Sequence, residues 1–218
     1  HKMRVKIDLM IGLFLILFAV TSQLDIYLVL MIFALIHELG HLCAGIILGY
    51  RPKEIKINPL GFKMELEEKD ESNIGTKEAS IKRAIIAIAG PITNLLIIFI
   101  IIFLTNTILG IQDFKMWNIT TQDIIYANML IGIFNLIPIY PLDGGRALKE
   151  ILYLTIGFKK SYKSTYLISK TTIIFLTVLA SIGVLFIHNI SIALIVAYLW
   201  IIMIAESKKK ASVICDKE

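Results

Sequence analysis

The sequence predicts an all-α polytopic membrane protein with six transmembrane helices, a small β-hairpin on the cytosolic side and a broken fourth helix. Three observations predict this fold class. Of the 218 residues, 57% are hydrophobic and only 18% are charged, whereas about a quarter of the residues in a soluble domain are charged. The apolar residues form long runs, and the basic residues fall between alternate runs. Such an excess of apolar side chains indicates contact with lipid.

Six apolar runs account for most of the chain. A run of about 18 residues with few charges is typical of a membrane-spanning helix. The runs cover residues 6–22, 26–50, 82–106, 123–140, 165–187 and 190–206. No small-residue cleavage site follows the first run, so we interpret it as a retained helix. We therefore assign residues 1–206 to one six-helix core and residues 207–218 to a short cytosolic tail, where a truncation before a regulatory domain would fall.

The basic residues predict the orientation in the membrane. Six alternating spans place four segments on one side, residues 1–6, 51–83, 143–170 and 207–218. These segments contain all of the 22 lysines and arginines except Lys115. Because Lys and Arg stay on the cytoplasmic side, we expect a multi-pass protein with both termini in the cytosol. The net charge of +5 fits attraction to the lipid bilayer, and no clustered basic arm indicates nucleic acid.

One segment between the spans has the alternation of paired β-strands. Over residues 52–67, apolar side chains recur at every second position before and after a turn sequence at 58–61. This pattern predicts a hairpin at the cytosolic interface, beside the second helix. Such a hairpin can pair an edge strand with an extended peptide, or it can serve as a lid or an interface anchor.

The second run contains three ionisable side chains in a stretch of five residues: His37, Glu38 and His41. Positions i and i+4 share one face of a helix, so both imidazoles can reach a single ion. Neutral imidazole suits Zn²⁺, and Glu38 can accept a proton from zinc-bound water. Ionisable groups at bilayer depth are costly and need partners. The spacing therefore predicts a zinc site with His37 and His41 as metal ligands and Glu38 as the catalytic general base.

The candidate for a third zinc ligand is Asp143. Pro138 and Pro141 should break the fourth helix, and the glycines after Asp143 permit a tight turn into another helix. Broken helices at membrane depth occur where the freed backbone lines a protein-walled or watery cavity. Taken alone, Asp143 would be interpreted as the N-cap of a helix over 144–156. Beside a two-histidine site that lacks a ligand, it is better interpreted as that ligand, whereas Cys43 lies on the far side of its helix from the histidines.

Two asparagines lie among apolar neighbours, Asn94 in the third run and Asn135 in the fourth. Each amide can hydrogen-bond a neighbouring helix, or it can position a substrate and stabilise an oxyanion. We group both with Pro138 and Pro141 as candidates for substrate positioning. Before Asn94, the pair Gly90-Pro91 either kinks the helix and allows close packing or has a direct role.

Together these motifs resemble the site-2 protease family of intramembrane zinc metalloproteases, and its sporulation branch in particular. The family pattern is His-Glu-x-x-His on one helix and Asn…Pro-x-Asp-Gly on a later one. The sequence matches this pattern at residues 37–41 and at Asn135 with residues 141–144. The resemblance covers nearly the whole six-span core. It implies that the two histidines and the aspartate bind zinc and that the glutamate serves the water.

The resemblance also implies partners and a location. The substrates would be membrane-tethered regulatory proteins, in the sporulation branch a sigma-factor precursor, and membrane regulatory or inhibitory proteins would be further partners. The location would be the bacterial cytoplasmic membrane or, for the sporulation branch, the membrane around the forespore. Members of that branch usually carry a C-terminal nucleotide-sensing domain, which the sequence up to Glu218 does not include. Nucleotide control is therefore not part of the expectation.

Two other classes of protein fit parts of the pattern. An ion-coupled membrane carrier also uses broken helices and buried ionisable residues, but it predicts inverted repeats, which we do not find. A membrane HExxH protease of another lineage would take its third ligand from a later glutamate, Glu150 or Glu206. The sequence favours a zinc-dependent intramembrane endopeptidase that acts by Glu38-assisted attack of zinc-bound water.

Overall fold

The computed structural model of the chain is mostly helical. It describes residues 4–7, 10–20, 24–58, 61–68, 76–109, 115–116, 119–187 and 196–204. The chain divides into two compact units, His1–Leu136 and Ile137–Glu218. Among the described residues, the first unit holds the strands and four helices, and the second unit holds three helices.

The first unit alternates helices with short strands. Its elements are, in chain order, β1 (Arg4–Ile7), α1 (Met10–Val20), α2 (Leu24–Ile47), β2 (Tyr50–Asn58), β3 (Gly61–Glu68), α3 (Lys77–Phe103) with a π-helical continuation (Leu104–Leu109), β4 (Lys115–Met116), β5 (Ile119–Thr120) and α4 (Thr121–Leu136). β4 and β5 form a short antiparallel ribbon before α4.

The predicted hairpin is present as β2 and β3, close to the expected range of 52–67. The two strands are antiparallel, with Tyr50 opposite Glu68 and Asn58 opposite Gly61. They belong to a three-stranded sheet in the order β1-β2-β3, in which β2 is central. β3 also packs against α2, which places this edge of the sheet beside the second helix.

The first strand was not predicted. Residues 4–7 form β1, which pairs with β2 in a parallel direction, Arg4 opposite Glu54 and Ile7 opposite Ile57. The prediction that the first span covers 6–22 is therefore wrong at its start, and the helix begins at Met10. A strand of four residues carries little signal of its own, and here it is stabilised by hydrogen bonds to an edge that β2 supplies from a distant part of the chain.

α2 and α3 pack against each other through small residues. A Cβ atom added at Gly40 of α2 would overlap the side chain of Thr93 and would lie 3.1 Å from the carbonyl oxygen of Ala89 in α3. Glycine therefore permits a close helix crossing, as is common between helices in membranes. On the outer surface of α3 the side chains are large and apolar, with Phe99 67% exposed, which suits contact with lipid.

α4 begins at a reciprocal side-chain cap. The backbone N–H and the hydroxyl of Thr120 donate to Asp123 Oδ2 at 2.8 and 2.7 Å, and the Asp123 N–H donates back to Thr120 Oγ1 at 3.2 Å. Such a capping box satisfies backbone donors that the first helical turn leaves without partners. It fixes the start of α4 next to the β4–β5 ribbon.

The second unit opens with a non-helical segment over 137–142, followed by α5 (Asp143–Ile156), α6 (Phe158–Ile187) and α7 over 196–204. The Tyr140 N–H donates to Ser169 Oγ in α6 at 2.9 Å. A Cβ atom at Gly145 would overlap the backbone between Ile139 and Tyr140, so glycine lets the first turn of α5 lie on this segment. Since α4 ends at Leu136 and helix resumes only at residue 143, the predicted break is present.

Three helices in the described part of the chain are long and apolar enough to cross a membrane, Leu24–Ile47, Lys77–Thr107 and Phe158–Gly183. They correspond to the second, third and fifth predicted spans. α1 and α4 have only 11 and 16 residues, fewer than the roughly 20 that a straight span requires. The run 190–206 is described only over 196–204. The count of six spans therefore stays a prediction.

Candidate metal centre

α2 brings His37, Glu38 and His41 together. Both imidazoles are buried, at 3% and 5% exposure, and Glu38 is partly exposed. The potential ligand atoms of these three residues all lie within 4.8 Å of one another. The arrangement follows from helical geometry, since four residues make slightly more than one turn and stack the two rings on one face.

The imidazoles are turned so that their Nε2 atoms approach each other. His41 Nε2 lies 3.2 Å from His37 Nε2, and the two rings are nearly perpendicular at 86°. His41 Nδ1 lies 2.6 Å from the carbonyl oxygen of Ile86 in α3. A carbonyl oxygen only accepts hydrogen bonds, so Nδ1 of His41 carries the proton and Nε2 presents a lone pair.

His37 Nδ1 also has a partner from α3. It lies 2.5 Å from Asn94 Oδ1, and the Asn94 side chain is completely buried. An amide oxygen accepts a hydrogen bond as a backbone carbonyl does, so the proton lies on Nδ1 and the lone pair for a metal ion lies on Nε2. Each histidine of the pair is therefore held at Nδ1 by an acceptor on the neighbouring helix.

The two Nε2 atoms fit a zinc ion. Zinc–nitrogen distances of about 2.0–2.1 Å in tetrahedral geometry place two ligand nitrogens roughly 3.3 Å apart. The separation of 3.2 Å between the Nε2 atoms of His37 and His41 agrees with this value. Two lone pairs this close repel each other unless a cation lies between them, so the donor set itself favours an occupied site.

Gly90 of α3 forms one wall of this site. A Cβ atom at position 90 would overlap Nε2 of His41 and would lie 2.6 and 2.7 Å from the Cε1 atoms of His41 and His37. Only glycine leaves room for both rings in this orientation. Of the roles left open for Gly90, close packing against the histidines is the one the geometry supports.

Asp143 lies in the second unit as the first residue of α5, and its side chain is buried. Arg146 Nη1 lies 3.7 Å from Asp143 Oδ1. The N-cap position belongs to Leu142, which makes no side-chain capping hydrogen bond, so the alternative that Asp143 merely caps a helix over 144–156 is not what is observed. The role of Asp143 as third zinc ligand stays a prediction.

The other predicted site residues are distributed over both units. Asn135 donates to the carbonyl oxygen of Ile131 in its own helix at 3.0 Å, and Pro138 and Pro141 lie in the non-helical segment before α5. Their roles in substrate positioning stay predictions. Cys43 is exposed and does not join the histidine cluster.

One buried side chain close to the centre was not predicted from the sequence, Asn128 of α4. It accepts a hydrogen bond from Asn94 Nδ2 at 3.0 Å and has no exposed surface. A signal was available, because Asn128 lies two helical turns before Asn135 on the same side of an apolar run. The carbonyl of Ile86 was also missed, and no side-chain pattern could have predicted it.

Comparison with known proteins assigns the chain to a family. The family model of Peptidase family M50 matches residues 26–124 and 113–179, which together exceed half of the chain. The chain belongs to peptidase family M50. The matched range includes the histidine pair of α2 and the whole of α5.

Curated relatives of this M50 member carry related names. It is 28% identical over 190 residues to a zinc metalloprotease of Methanocaldococcus jannaschii, covering 85% of the chain and 49% of the relative. It is 28% identical over 144 residues to Stage IV sporulation protein FB of Bacillus subtilis, covering 66% and 46%. It is 35% identical over 125 residues to a putative zinc metalloprotease of Synechocystis, covering 56% and 29%. The chain thus spans about half or less of the length of these relatives.

A solved structure shares the fold of this M50 member. The site-2 protease from Methanocaldococcus jannaschii superimposes with a TM-score of 0.69 at 23% identity, over 94% of this chain and 91% of that one. The predicted likeness to the site-2 protease fold is therefore confirmed. The relatives named as zinc metalloproteases and the His-Glu-His cluster support zinc as the metal of this centre.

Membership of family M50 decides against the two alternative classes. Of the two glutamates named for that other lineage, Glu150 is buried with a carboxylate oxygen 2.8 Å from Lys149 Nζ. Glu206 lies outside the described residues.

Proposed function

We propose that this chain is the catalytic core of an intramembrane zinc endopeptidase. The observation that carries the proposal is the pair of Nε2 atoms of His37 and His41, 3.2 Å apart, with both Nδ1 atoms engaged by acceptors from α3. Buried imidazoles held in this way are preorganised for a metal ion and unsuited to simple packing.

The proposed ligand set is His37, His41 and Asp143. Two observations support Asp143 as the third ligand. Its carboxylate is buried at the start of α5, and it lies in the Pro-x-Asp-Gly sequence typical of site-2 proteases. Three protein ligands leave one position open for water or substrate, which is typical of catalytic zinc sites. Arg146 would orient the aspartate from the next turn of the helix.

In the proposed reaction, Glu38 is the general base. When bound, zinc supplies Lewis acidity that activates water and polarises the scissile carbonyl. Glu38 takes the proton of the attacking water and delivers it to the leaving amine nitrogen as the peptide bond breaks. Its partial exposure, beside two buried rings, suits a group that must reach solvent-derived protons and the metal centre together.

We propose that water reaches the site from the cytosolic side. His41 lies six residues before the end of α2 at Ile47, about 9 Å along the helix axis. The basic residues of the following segment assign that end of α2 to the cytosol. Cleavage would then fall in the inner leaflet of a multi-pass protein whose termini are both cytosolic.

The proposed substrates are membrane-tethered regulatory proteins. Similarity to Stage IV sporulation protein FB over 66% of the chain supports a sporulation sigma-factor precursor as substrate and the membrane around the forespore as location. The alternative within the same class is another tethered regulator in the bacterial cytoplasmic membrane. Membrane regulatory or inhibitory proteins would act on the same core.

The test of the zinc site is metal content with matched variants. We expect about one zinc per chain in the detergent-purified protein, lost or weakened in His37→Ala and Asp143→Asn and retained in Glu38→Gln. Asp123→Asn and Glu78→Gln make the same chemical changes at exposed positions and should leave zinc content unchanged. Zinc-free wild type, or full zinc in His37→Ala, would contradict the proposed site.

The test of the reaction is cleavage of a tethered sigma-factor precursor and of an unrelated tethered reporter. Glu38→Gln should remain zinc-loaded and lose cleavage by several orders of magnitude, because the proton acceptor is removed while the ligands stay. Cleavage of the reporter but not of the precursor would support the proposed protease activity and contradict the proposed sporulation substrate. A Glu38→Gln protein that cuts at the wild-type rate would contradict the proposed mechanism.

A further inference from the structure

A chain of buried amides connects the metal centre to α4. Asn94 Oδ1 lies 2.5 Å from His37 Nδ1, and Asn94 Nδ2 donates to Asn128 Oδ1 at 3.0 Å. Asn128 Nδ2 donates in turn to the carbonyl oxygen of Ile124 at 2.9 Å. Both asparagine side chains have no exposed surface. Three helices, α2, α3 and α4, are joined by this one path.

The direction of every hydrogen bond in the path follows from the carbonyl oxygen of Ile124, where the path ends in α4. The Ile124 carbonyl can only accept, so the group of Asn128 that meets it must be the NH₂, and Oδ1 of Asn128 must face Asn94. Asn94 therefore presents its own NH₂ to Asn128 and its Oδ1 to His37. An oxygen at that place requires a donor, so the His37 proton must be on Nδ1.

We propose that Asn94 and Asn128 form a tautomer relay, in which a backbone carbonyl of α4 fixes the proton of His37 on Nδ1 and keeps Nε2 as the metal-binding nitrogen. In this proposal Asn94 is a positioning residue that acts through His37 instead of contacting substrate or an oxyanion. Asn128 acts one step further out, by setting which end of the Asn94 amide faces the histidine.

The relay has a physical advantage over a single amide contact. An isolated buried asparagine can rotate its amide by 180°, and then its NH₂ would face His37 and favour the tautomer whose proton is on Nε2. That tautomer cannot bind metal through Nε2. The bond to Asn128 opposes this rotation, because a rotated Asn94 would set two oxygens against each other between side chains that have no exposed surface. Outer partners of this kind change metal affinity by about 10–100-fold.

The relay rests on the proposed zinc site, so its first test is made without metal. In chelator-treated protein labelled with ¹⁵N-histidine, ring nitrogen shifts distinguish Nδ1–H from Nε2–H, and the chain has only 4 histidines to assign. The spectra are recorded at about pH 8. We expect His37 to carry its proton on Nδ1 in wild type, and to populate Nε2–H in Asn94→Leu and in Asn128→Leu.

A conservative variant separates the relay from general packing. Asn94→Asp keeps an acceptor for His37, so it should retain the proton on Nδ1 of His37. The leucine variants should lose about 10–100-fold in zinc affinity. Thr93→Val is the matched control, because the Thr93 hydroxyl donates to Ala89 in its own helix, and it should leave both readouts unchanged.

The outcomes are distinguishable from failure of the proposed function. A wild type that binds no zinc rejects the zinc site, while the tautomer measurement still stands. Wild-type tautomer in both leucine variants overturns the relay, and so does a fall in zinc affinity without a tautomer change. Should the leucine variants fail to fold, Asn94→Asp decides, since a proton on Nε2 of His37 in that variant contradicts the relay.

Discussion

At the scale of single residues, the candidate centre depends on what lies behind the ligands. The spacing of His37 and His41 brings two rings to one face of α2, but a ring nitrogen binds metal only when the other nitrogen carries the proton. Ile86 and Asn94, both on α3, supply the two acceptors. α2 therefore provides the two imidazole ligands, and α3 provides the acceptors that orient them.

Gly90 gives the most direct prediction at this scale. In Gly90→Ala the new methyl group overlaps Nε2 of His41 and crowds His37, so the rings must turn away from their shared point. We expect zinc affinity to fall at least about tenfold, measured by competition with a chelator. Helix propensity would favour alanine, so lost affinity could not be ascribed to a weakened helix.

The matched control for this prediction is Gly132→Ala in α4. Gly132 is also a buried glycine between helices, but its added Cβ would lie at an ordinary 3.5 Å from the Cβ of Asn94. Zinc affinity should stay close to wild type. Equal losses in the two variants would mean that close helix packing in general, rather than the wall beside the histidines, determines metal binding.

At the scale of elements, the sheet lies next to the metal centre along α2. Gly45 follows His41 by one helical turn, about 6 Å along the axis. Leu66 of β3 packs there, since a Cβ at position 45 would lie 2.5 Å from Leu66 Cδ1. The strand order places β3 at an edge of the sheet. An extended peptide added to this edge would pass close to the histidines, which favours strand pairing over a lid or anchor.

Proline substitutions along β3 test this pairing. Successive N–H groups of a strand point to opposite sides, so proline at Glu65 or Glu67 removes donors on one side and proline at Met64 or Leu66 removes donors on the other. We expect one of these two sets to slow cleavage at least about tenfold with unchanged zinc content and thermal stability. The other set should destabilise the sheet by breaking bonds to β2. Normal cleavage by both sets would contradict substrate pairing.

The cap of α4 gives a stability prediction at the same scale. Thr120→Ala removes the hydroxyl that exchanges hydrogen bonds with Asp123 and should cost about 1 kcal/mol. For a chain of this size that is a fall of about 2–4 °C in the midpoint of thermal unfolding. Thr120→Ser keeps the hydroxyl and should stay near wild type. The same fall in both variants would attribute the effect to the lost methyl group.

Some elements of the structure could be predicted from the sequence and others could not. The His-Glu-x-x-His face, the hairpin near 52–67 and the break before Asp143 follow from local rules of helix period, strand alternation and proline chemistry. β1 and the amide path through Asn128 depend on pairing between distant segments, which no local pattern specifies. The prediction for Asn94 placed the right residue near the site but missed its partner, because side chains on two helices meet according to crossing geometry.

At the scale of the whole molecule, composition and charge describe a protein solvated by lipid. Large apolar side chains are exposed along α2, α3 and α6, for example Ile32 at 56%, Phe99 at 67% and Phe175 at 61%. In water such surfaces would drive aggregation, whereas in a bilayer they are the contact surface. Buried polar groups also occur on these helices, Asn94 on α3 and Ser169 on α6, both without exposed surface.

The membrane orientation can be tested with single cysteines at exposed positions in a background without the native cysteines. Six spans and the distribution of basic residues predict that Lys53→Cys and Lys159→Cys face the cytosol and that Gln122→Cys, next to the cap of α4, faces the opposite side. A membrane-impermeant maleimide added to intact cells should label only Gln122→Cys, and inverted vesicles should give the reverse. Labelling of Lys53→Cys and Gln122→Cys from the same side would mean that α3 does not cross the bilayer. Labelling of Lys53→Cys from outside intact cells would contradict the cytosolic route for water to His41, since that route requires the C-terminal end of α2 to face the cytosol.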